Sequence, residues 1–66
     1  MSSPLTPRET DVVAALADGL TAKQIGRKFD ISPNTVHNVV IFLRAKTGAA
    51  NVTGLVAKAI REGWIQ

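Results

Sequence analysis

The sequence predicts an all-α fold, a four-helix bundle-like domain that contains a helix-turn-helix. Four segments each begin at a residue that can cap a helix, and their apolar residues recur with the spacing of one helical face. No segment alternates apolar and polar residues as a half-buried strand does, and there are no internal repeats. The chain has 66 residues, enough for one small domain that buries only ~60% of the surface exposed by its unfolded form.

The composition narrows the classes of function. The formal net charge is +3 and the sequence pI is about 10.0. This excess suggests an anionic partner such as nucleic acid, although many small domains are mildly basic for solubility alone. There is no cysteine and a single histidine, so a disulfide, a thiolate nucleophile and a cysteine-based zinc site are excluded.

A catalytic role is not predicted. The acidic residues are scattered and form neither a nucleophile–base pair nor a cluster of metal ligands, so we expect no enzymatic activity, no cofactor and no bound metal. No small-molecule ligand is evident either. No apolar run approaches the ~20 residues that span a bilayer, and no signal peptide is evident, so we expect a cytoplasmic location and no membrane partner.

The predicted domain occupies residues 5–66, after a short disordered leader at residues 1–4. Thr6 can cap the first helix, with Pro7 at its first position and Glu9 placed to complete a capping box. Glu9 could instead meet a basic side chain, and both interpretations stay open. The helix is expected to run to about Asp18, to end at Gly19, and to bury Val12, Val13 and Leu16.

The second helix is short, about residues 22–29. Thr21 and Gln24 form a second capping box. Inside a helix, glycine is ~1 kcal/mol less stabilising than alanine. Gly26 is explained if another backbone passes too close to leave room for a side chain. Ile31 then plugs the turn that follows. We expect an inner stripe made of Ala22, Ile25 and Phe29.

The third helix is predicted from about Pro33 to Lys46, with Ser32 as its cap. The turn before it is too short for side-by-side antiparallel packing, so this helix and the preceding one should cross as a helix-turn-helix. The inner stripe is Val36, Val39, Val40 and Leu43. The opposite face offers amide, imidazole and methyl groups, the types that read base edges in the major groove of DNA. Its members are Asn34, His37, Asn38, Ile41 and Ala45.

The fourth helix is predicted from about Val52 to Glu62, with Asn51 as its cap and Gly63 at its end. Trp64 and Ile65 should fold back as a hydrophobic plug. An outer stripe of small and basic residues could pack against its copy in a homodimer or could simply be solvated: Gly54, Ala57, Lys58 and Arg61. The expected inner stripe is Val52, Leu55, Val56, Ala59 and Ile60.

These segments together resemble the LuxR/FixJ-type, or GerE-like, helix-turn-helix DNA-binding domain. The resemblance extends from Leu5 to Ile65 without an internal gap. Its pieces are Leu5-Thr6-Pro7-Arg8-Glu9, Asp18-Gly19-Leu20-Thr21-Ala22-Lys23-Gln24-Ile25, Ile31-Ser32-Pro33-Asn34-Thr35-Val36, then Lys46, Gly48, Asn51, Thr53 and Ala59, and finally Gly63-Trp64-Ile65.

The resemblance implies a domain that binds double-stranded DNA as a dimer, with the third helix in the major groove and the fourth at the dimer contact. It places base-reading positions at His37, Asn38 and Ile41, to which the residue pattern adds Asn34. It also implies a bacterial, phage or mobile-element origin. Phosphate contacts are expected at Thr21, Lys23, Thr35 and Lys46, joined by the cations Arg27, Lys28 and Arg44.

The chain departs from the family pattern at three positions. His37 stands where the family usually has lysine, Val39 where it often has histidine, and Val52 where it often has arginine. A transferred consensus target is therefore not expected, and His37 could also be an ordinary surface histidine. We predict a transcriptional regulator that binds specific DNA. The alternative is a helix-turn-helix module that docks onto a regulatory protein or the transcription machinery, with Ile41 as its apolar anchor.

Overall fold

The computed structural model describes residues 3–66. These residues form four helices and no strand: α1 (Pro7–Ala17), α2 (Ala22–Phe29), α3 (Pro33–Thr47) and α4 (Val52–Arg61). The predicted all-α class is confirmed, and every helix ends within one residue of its predicted bound. Residues 1 and 2 of the expected leader lie outside the described residues, so disorder there remains a prediction.

The four helix starts follow local side-chain chemistry. Both predicted capping boxes form, since the Thr6 N–H donates to Glu9 Oε1 at 2.8 Å and the Thr21 N–H donates to Gln24 Oε1 at 2.8 Å. The Ser32 and Asn51 side chains accept from the Thr35 and Gly54 N–H groups. Each cap satisfies a backbone donor that the helix itself leaves free.

The turn between α2 and α3 depends on Gly26. A Cβ at this position would lie 2.5 Å from the Ile31 carbonyl oxygen and 3.3 Å from the Pro33 nitrogen. The Ile31 N–H also donates to the Gly26 carbonyl at 2.8 Å. The predicted close backbone approach is therefore confirmed. Asp30 completes the turn in the left-handed region, with φ of 59°, where a short polar side chain is better tolerated than a bulky one.

The core consists of two apolar clusters. The turn cluster joins α1, α2 and α3 and contains Val12, Ala15, Ile25, Val36 and Val40, with Leu16, Leu20, Phe29 and Ile31 packed against it. The terminal cluster joins α1, α3, α4 and both ends of the described chain. It contains Leu5, Val13, Leu43, Leu55, Ala59 and Ile65, with Trp64 packed against it. The half-buried Val39 packs against both clusters, which ties them into one interior.

Several residues that were predicted to face the core are partly or largely exposed. Leu16 is only half-buried, whereas its neighbour Ala15 is buried in the turn cluster, and Ala22 at the start of α2 is exposed. On α4, Val52 is 38% exposed and Ile60 is 54% exposed. Leu55 and Ala59 occupy the side of α4 that faces the core, and the predicted stripe was wider than that side.

Among residues 3–66, no helix is by itself long and apolar enough to cross a membrane. Only α3 and α4 taken together, bent by 58° at the break between them, reach that length and composition.

Candidate nucleic-acid interface

One face of α3 is anchored in the core. Val36 and Leu43 are fully buried and Val40 nearly so. Thr47 is also buried, and its hydroxyl donates to the Leu43 carbonyl at 2.7 Å, so its polar atom is satisfied. Because the buried residues fix the rotation of the helix, they also determine which residues point outward.

The structure brings the four predicted base-reading side chains together on the outward face of α3. Asn34, His37, Asn38 and Ile41 are all exposed, and Ala45 continues the same surface. Within residues 3–66, none of their side chains makes a hydrogen bond to another residue. The amide and imidazole groups are therefore free to bind an external partner.

The predicted phosphate contacts divide into free and engaged groups. Lys23 and Arg27 are exposed on α2 and, within the described chain, make no ion pair. Thr21 Oγ1 accepts the Gln24 N–H at 3.2 Å, and the hydroxyls of Thr35 and Ser32 lie 2.9 Å apart. Both threonines thus sit at helix starts, where free N–H groups and the helix dipole favour an anion.

Lys46 joins the end of α3 to the start of α1. Its ammonium lies 2.9 Å from Glu9 Oε1, across 37 residues of sequence. Glu9 thus serves both of the roles considered for it, as capping-box acceptor and as partner of a basic side chain. The Thr6 N–H and, secondarily, the Lys46 ammonium lower the pKa of the Glu9 carboxyl, although burial opposes them.

Arg44 is turned toward the connector between α3 and α4. Its guanidinium donates to the Ala50 carbonyl, while its Nε is buried without a partner among the described residues. Beside it, an open groove of about 380 Å³ is lined by Ile41, Arg44, Ala45, Gly48 and Ala49.

Phe42 is a further exposed residue of α3, and the sequence pattern did not single it out. Its side chain is 57% exposed beside the 48% exposed Ile41. The Lys46 ammonium lies 5.6 Å from the Phe42 ring centroid, within the range of a cation–π contact. The available signal was its position one helical turn after Asn38, outside the inner stripe.

The outward side of α4 is more apolar than predicted. Ala57 and Arg61 are exposed, whereas Gly54 is half-buried. Lys58 is also half-buried, because its ammonium donates to the Thr47 carbonyl at 2.8 Å. Three aliphatic residues spaced four apart form a neighbouring stripe, here named the α4 stripe: Val52, Val56 and Ile60.

No group of three or more potential metal ligands occurs among residues 3–66. The side chains brought together on α3 are suited to hydrogen bonding and apolar contact. Those around them on α2 and at the end of α3 supply positive charge.

Comparison with known proteins points in the same direction. A candidate HTH-type transcriptional regulator of Mycobacterium bovis is 41% identical over 89% of the chain, which covers 7% of that protein. The methanol utilization control regulatory protein MoxX of Paracoccus denitrificans is 40% identical over 86% of the chain, covering 26% of MoxX. The transcriptional regulatory protein UhpA of Escherichia coli is 39% identical over 92% of the chain, covering 31% of UhpA.

The chain therefore spans less than a third of the length of these relatives. No solved structure gives a significant match. The family model of the bacterial regulatory proteins, luxR family, matches residues 3–59. That match covers most of the chain and includes all of α1, α2 and α3. The chain belongs to the luxR family of bacterial regulatory proteins, whose helix-turn-helix domain serves DNA-binding regulation of transcription.

Proposed function

We propose that this chain binds a specific sequence of double-stranded DNA by inserting α3 into the major groove. The observation that carries the proposal is the outward face of α3, where Asn34, His37, Asn38 and Ile41 are exposed together on a helix held rigidly by its buried face. The major groove is wide enough for an α-helix and presents a different pattern of donors, acceptors and methyl groups for each base pair.

Each outward side chain has a chemical counterpart on a base edge. The Asn38 amide can donate to and accept from adenine, and Asn34 offers the same groups one turn earlier. A His37 ring N–H can donate to a guanine acceptor, and the Ile41 methyls can contact a thymine methyl. A good bidentate pairing of this kind contributes ~1–3 kcal/mol of discrimination against the wrong base.

The flanking groups would bind the phosphate backbone. Lys23 and Arg27 lie on α2, and the helix starts beside Thr21 and Thr35 offer N–H groups to phosphate oxygens. Arg44 and Lys46 each have an intrachain partner, but an ammonium has three donors and a guanidinium five. Both therefore keep donors for phosphate. These contacts set register and make affinity dependent on salt.

We also infer that the chain forms a homodimer through α4. A 66-residue domain that leaves Val52 and Ile60 exposed forgoes stabilising burial, and a second copy would restore it. The sequence pattern placed the contact on Gly54, Ala57, Lys58 and Arg61. We propose that the α4 stripe forms its centre, with Ala57 at the edge and Arg61 at the rim.

A bacterial regulator that acts on DNA in this way works in the cytoplasm. It needs no cofactor for the contacts described. A regulatory protein partner remains a proposal, because the relatives are several times longer than the matched region.

The first test combines fluorescence anisotropy with nuclease footprinting across a salt series, on DNA from upstream of the gene that encodes this chain and on a random duplex. The proposal expects a two-fold symmetric footprint that persists at a salt concentration that releases the random duplex. Binding that is equal on both duplexes and vanishes in moderate salt would contradict it.

A second test separates backbone contacts from base contacts. Lys23→Ala should weaken binding to every sequence about equally and reduce the slope of log affinity against log salt by about one unit. Asn38→Ala is the matched control, because it should leave the slope unchanged. A loss by the Lys23 variant on one sequence only would contradict a phosphate role.

A protein-docking module is the second candidate function. The exposure of Ile41 and Phe42, two adjacent large apolar side chains, favours it. In that case the salt series shows only weak, non-specific DNA binding, and truncating Ile41 removes a protein partner instead of a DNA footprint.

A further inference from the structure

We propose that Phe42 is an additional specificity residue, which contacts the methyl group of a thymine beside the base read by Ile41. The inference rests on the proposed DNA-binding function and deepens it. It assigns to the target site a thymine that none of the base-reading positions predicted from the sequence accounts for.

Phe42 and Ile41 together expose two large apolar side chains next to each other in the sequence of α3. Phe42 is 57% exposed and Ile41 is 48% exposed, at consecutive positions of one helix. Burying an aromatic side chain stabilises a domain strongly, and this small domain forgoes that gain at Phe42. Adjacent exposed apolar residues on a soluble surface commonly mark a binding surface.

The Phe42 ring has one cationic neighbour, and that neighbour is itself anchored. The Lys46 ammonium lies 5.6 Å from the ring centroid and 2.9 Å from Glu9 Oε1. Glu9 in turn accepts the Thr6 N–H at 2.8 Å. The cation beside the ring is thus anchored to the start of α1, so the ring pays less entropy when a partner covers it.

The charges around Ile41 and Phe42 favour an anionic partner. The sequence of α3 contains no acidic residue, and Arg44 and Lys46 lie in its last turns. Asn38 lies one turn before Phe42, so the ring adjoins the amide proposed to read a base. An anionic partner with an apolar group next to hydrogen-bonding edges fits this surface, and in the major groove that apolar group is the thymine C5-methyl.

The experiment removes single methyl groups from the DNA. A binding site is first selected from a random duplex library with the wild-type chain. Each thymine is then replaced by deoxyuridine, which keeps base pairing but lacks the methyl, and affinity is measured for wild type, Phe42→Ala, Phe42→Leu and Ile41→Ala. Circular dichroism confirms that each variant is folded.

The proposal expects uracil at one thymine per half-site to weaken wild-type binding about fourfold, as expected for one buried methyl-sized group. Phe42→Ala should abolish that penalty, whereas Phe42→Leu should keep part of it. Ile41→Ala should abolish the penalty at a neighbouring thymine and leave the Phe42 thymine unchanged.

Equal uracil penalties for wild type and Phe42→Ala at every thymine would overturn the inference, while the selected site would still support the proposed function. An unchanged DNA affinity of Phe42→Ala would overturn it too, because the ring would then make no contact with the DNA. Failure to select any sequence would overturn both proposals.

Discussion

The two long faces of α3 lie on one helix but have opposite chemistry. On the inward face, Val36 and Leu43 are fully buried, and the face contributes to both core clusters. The outward face exposes Asn38 and Ile41 and, within residues 3–66, makes no hydrogen bond. Stability and recognition can therefore be separated on this helix, because the buried residues that orient it are not the exposed residues available to a partner.

The outward side of α4 sharpens that comparison. The outward face of α3 combines amides, an imidazole and apolar groups beside cations, whereas the α4 stripe is aliphatic throughout. Amides and cations suit base edges and phosphates, and an aliphatic stripe suits a second copy of the chain. Exposed apolar residues on the two helices therefore support two different proposed partners.

The largest effect is expected for Leu43→Ala on the inward face. Leu43 is fully buried in the terminal cluster, so the variant should lose ~2–5 kcal/mol of unfolding free energy in urea denaturation. Ile41→Ala is the matched control on the outward face and should change stability by less than ~0.5 kcal/mol. Similar losses for the two variants would break the distinction between the faces.

Gly26→Ala should disturb both faces of α3 at once, because it changes the turn that places α3 against α2. The added Cβ would lie 2.5 Å from the Ile31 carbonyl oxygen, so the turn must open, at a cost of ~1–3 kcal/mol in thermal or chemical unfolding. This reverses the usual ~1 kcal/mol advantage of alanine over glycine in a helix.

Gly54→Ala in α4 is the control for that reversal. Its Cβ would lie 3.4 Å from Asn51 Oδ1, with no other atom within 4 Å. Measured at concentrations too low for dimerisation, this variant should be neutral or slightly more stable. A Gly26 variant as stable as the wild type would contradict the close approach of α2 and α3.

Asn38→Ala on the outward face should affect recognition alone. It should cost ~1–3 kcal/mol of discrimination at one base pair and leave the unfolding free energy unchanged within ~0.5 kcal/mol. Competition binding with single-base-pair variants of a selected site measures the first quantity. An unchanged footprint and affinity would remove Asn38 from the proposed interface.

The smallest effect is expected at the ion pair between Glu9 and Lys46, which links the start of α1 to the end of α3. The folded state lowers the pKa of Glu9 below its ordinary value of 4.5, so the stabilisation is complete above that pH and is lost as pH falls through the folded-state pKa. Glu9→Gln retains an oxygen for the Thr6 N–H but loses the ion pair. It should be up to ~1 kcal/mol less stable at pH 7.

The pH series provides the check on that prediction. The difference between wild type and Glu9→Gln should shrink in acid, because protonation removes the wild-type charge as well. Asp11→Asn, which removes an exposed carboxylate of the same helix that makes no ion pair among the described residues, is the control at pH 7 and should change stability by less than ~0.5 kcal/mol. A constant difference from pH 7 to pH 3 would contradict a role for the Glu9 charge.

Helix positions were predictable because their determinants are local. The caps at Thr6, Thr21, Ser32 and Asn51 act within three residues of the chain, and the glycine at position 48 ends α3 with φ of 78°. Even the close approach at Gly26 could be inferred, since the cost of a helical glycine demands a reason. The outward positions Asn34, His37, Asn38 and Ile41 followed from helical periodicity.

By itself, then, the sequence determined where each helix begins and ends, which face of α3 points outward, and which family the chain resembles. Only the tertiary structure decided that Glu9 meets Lys46 across 37 residues, that the Lys58 ammonium donates to the Thr47 carbonyl, and that Val52 and Ile60 stay exposed. The physical reason is that caps and periodicity act within a turn or two of helix. Burial instead depends on how much surface the neighbouring helices of a small domain can cover.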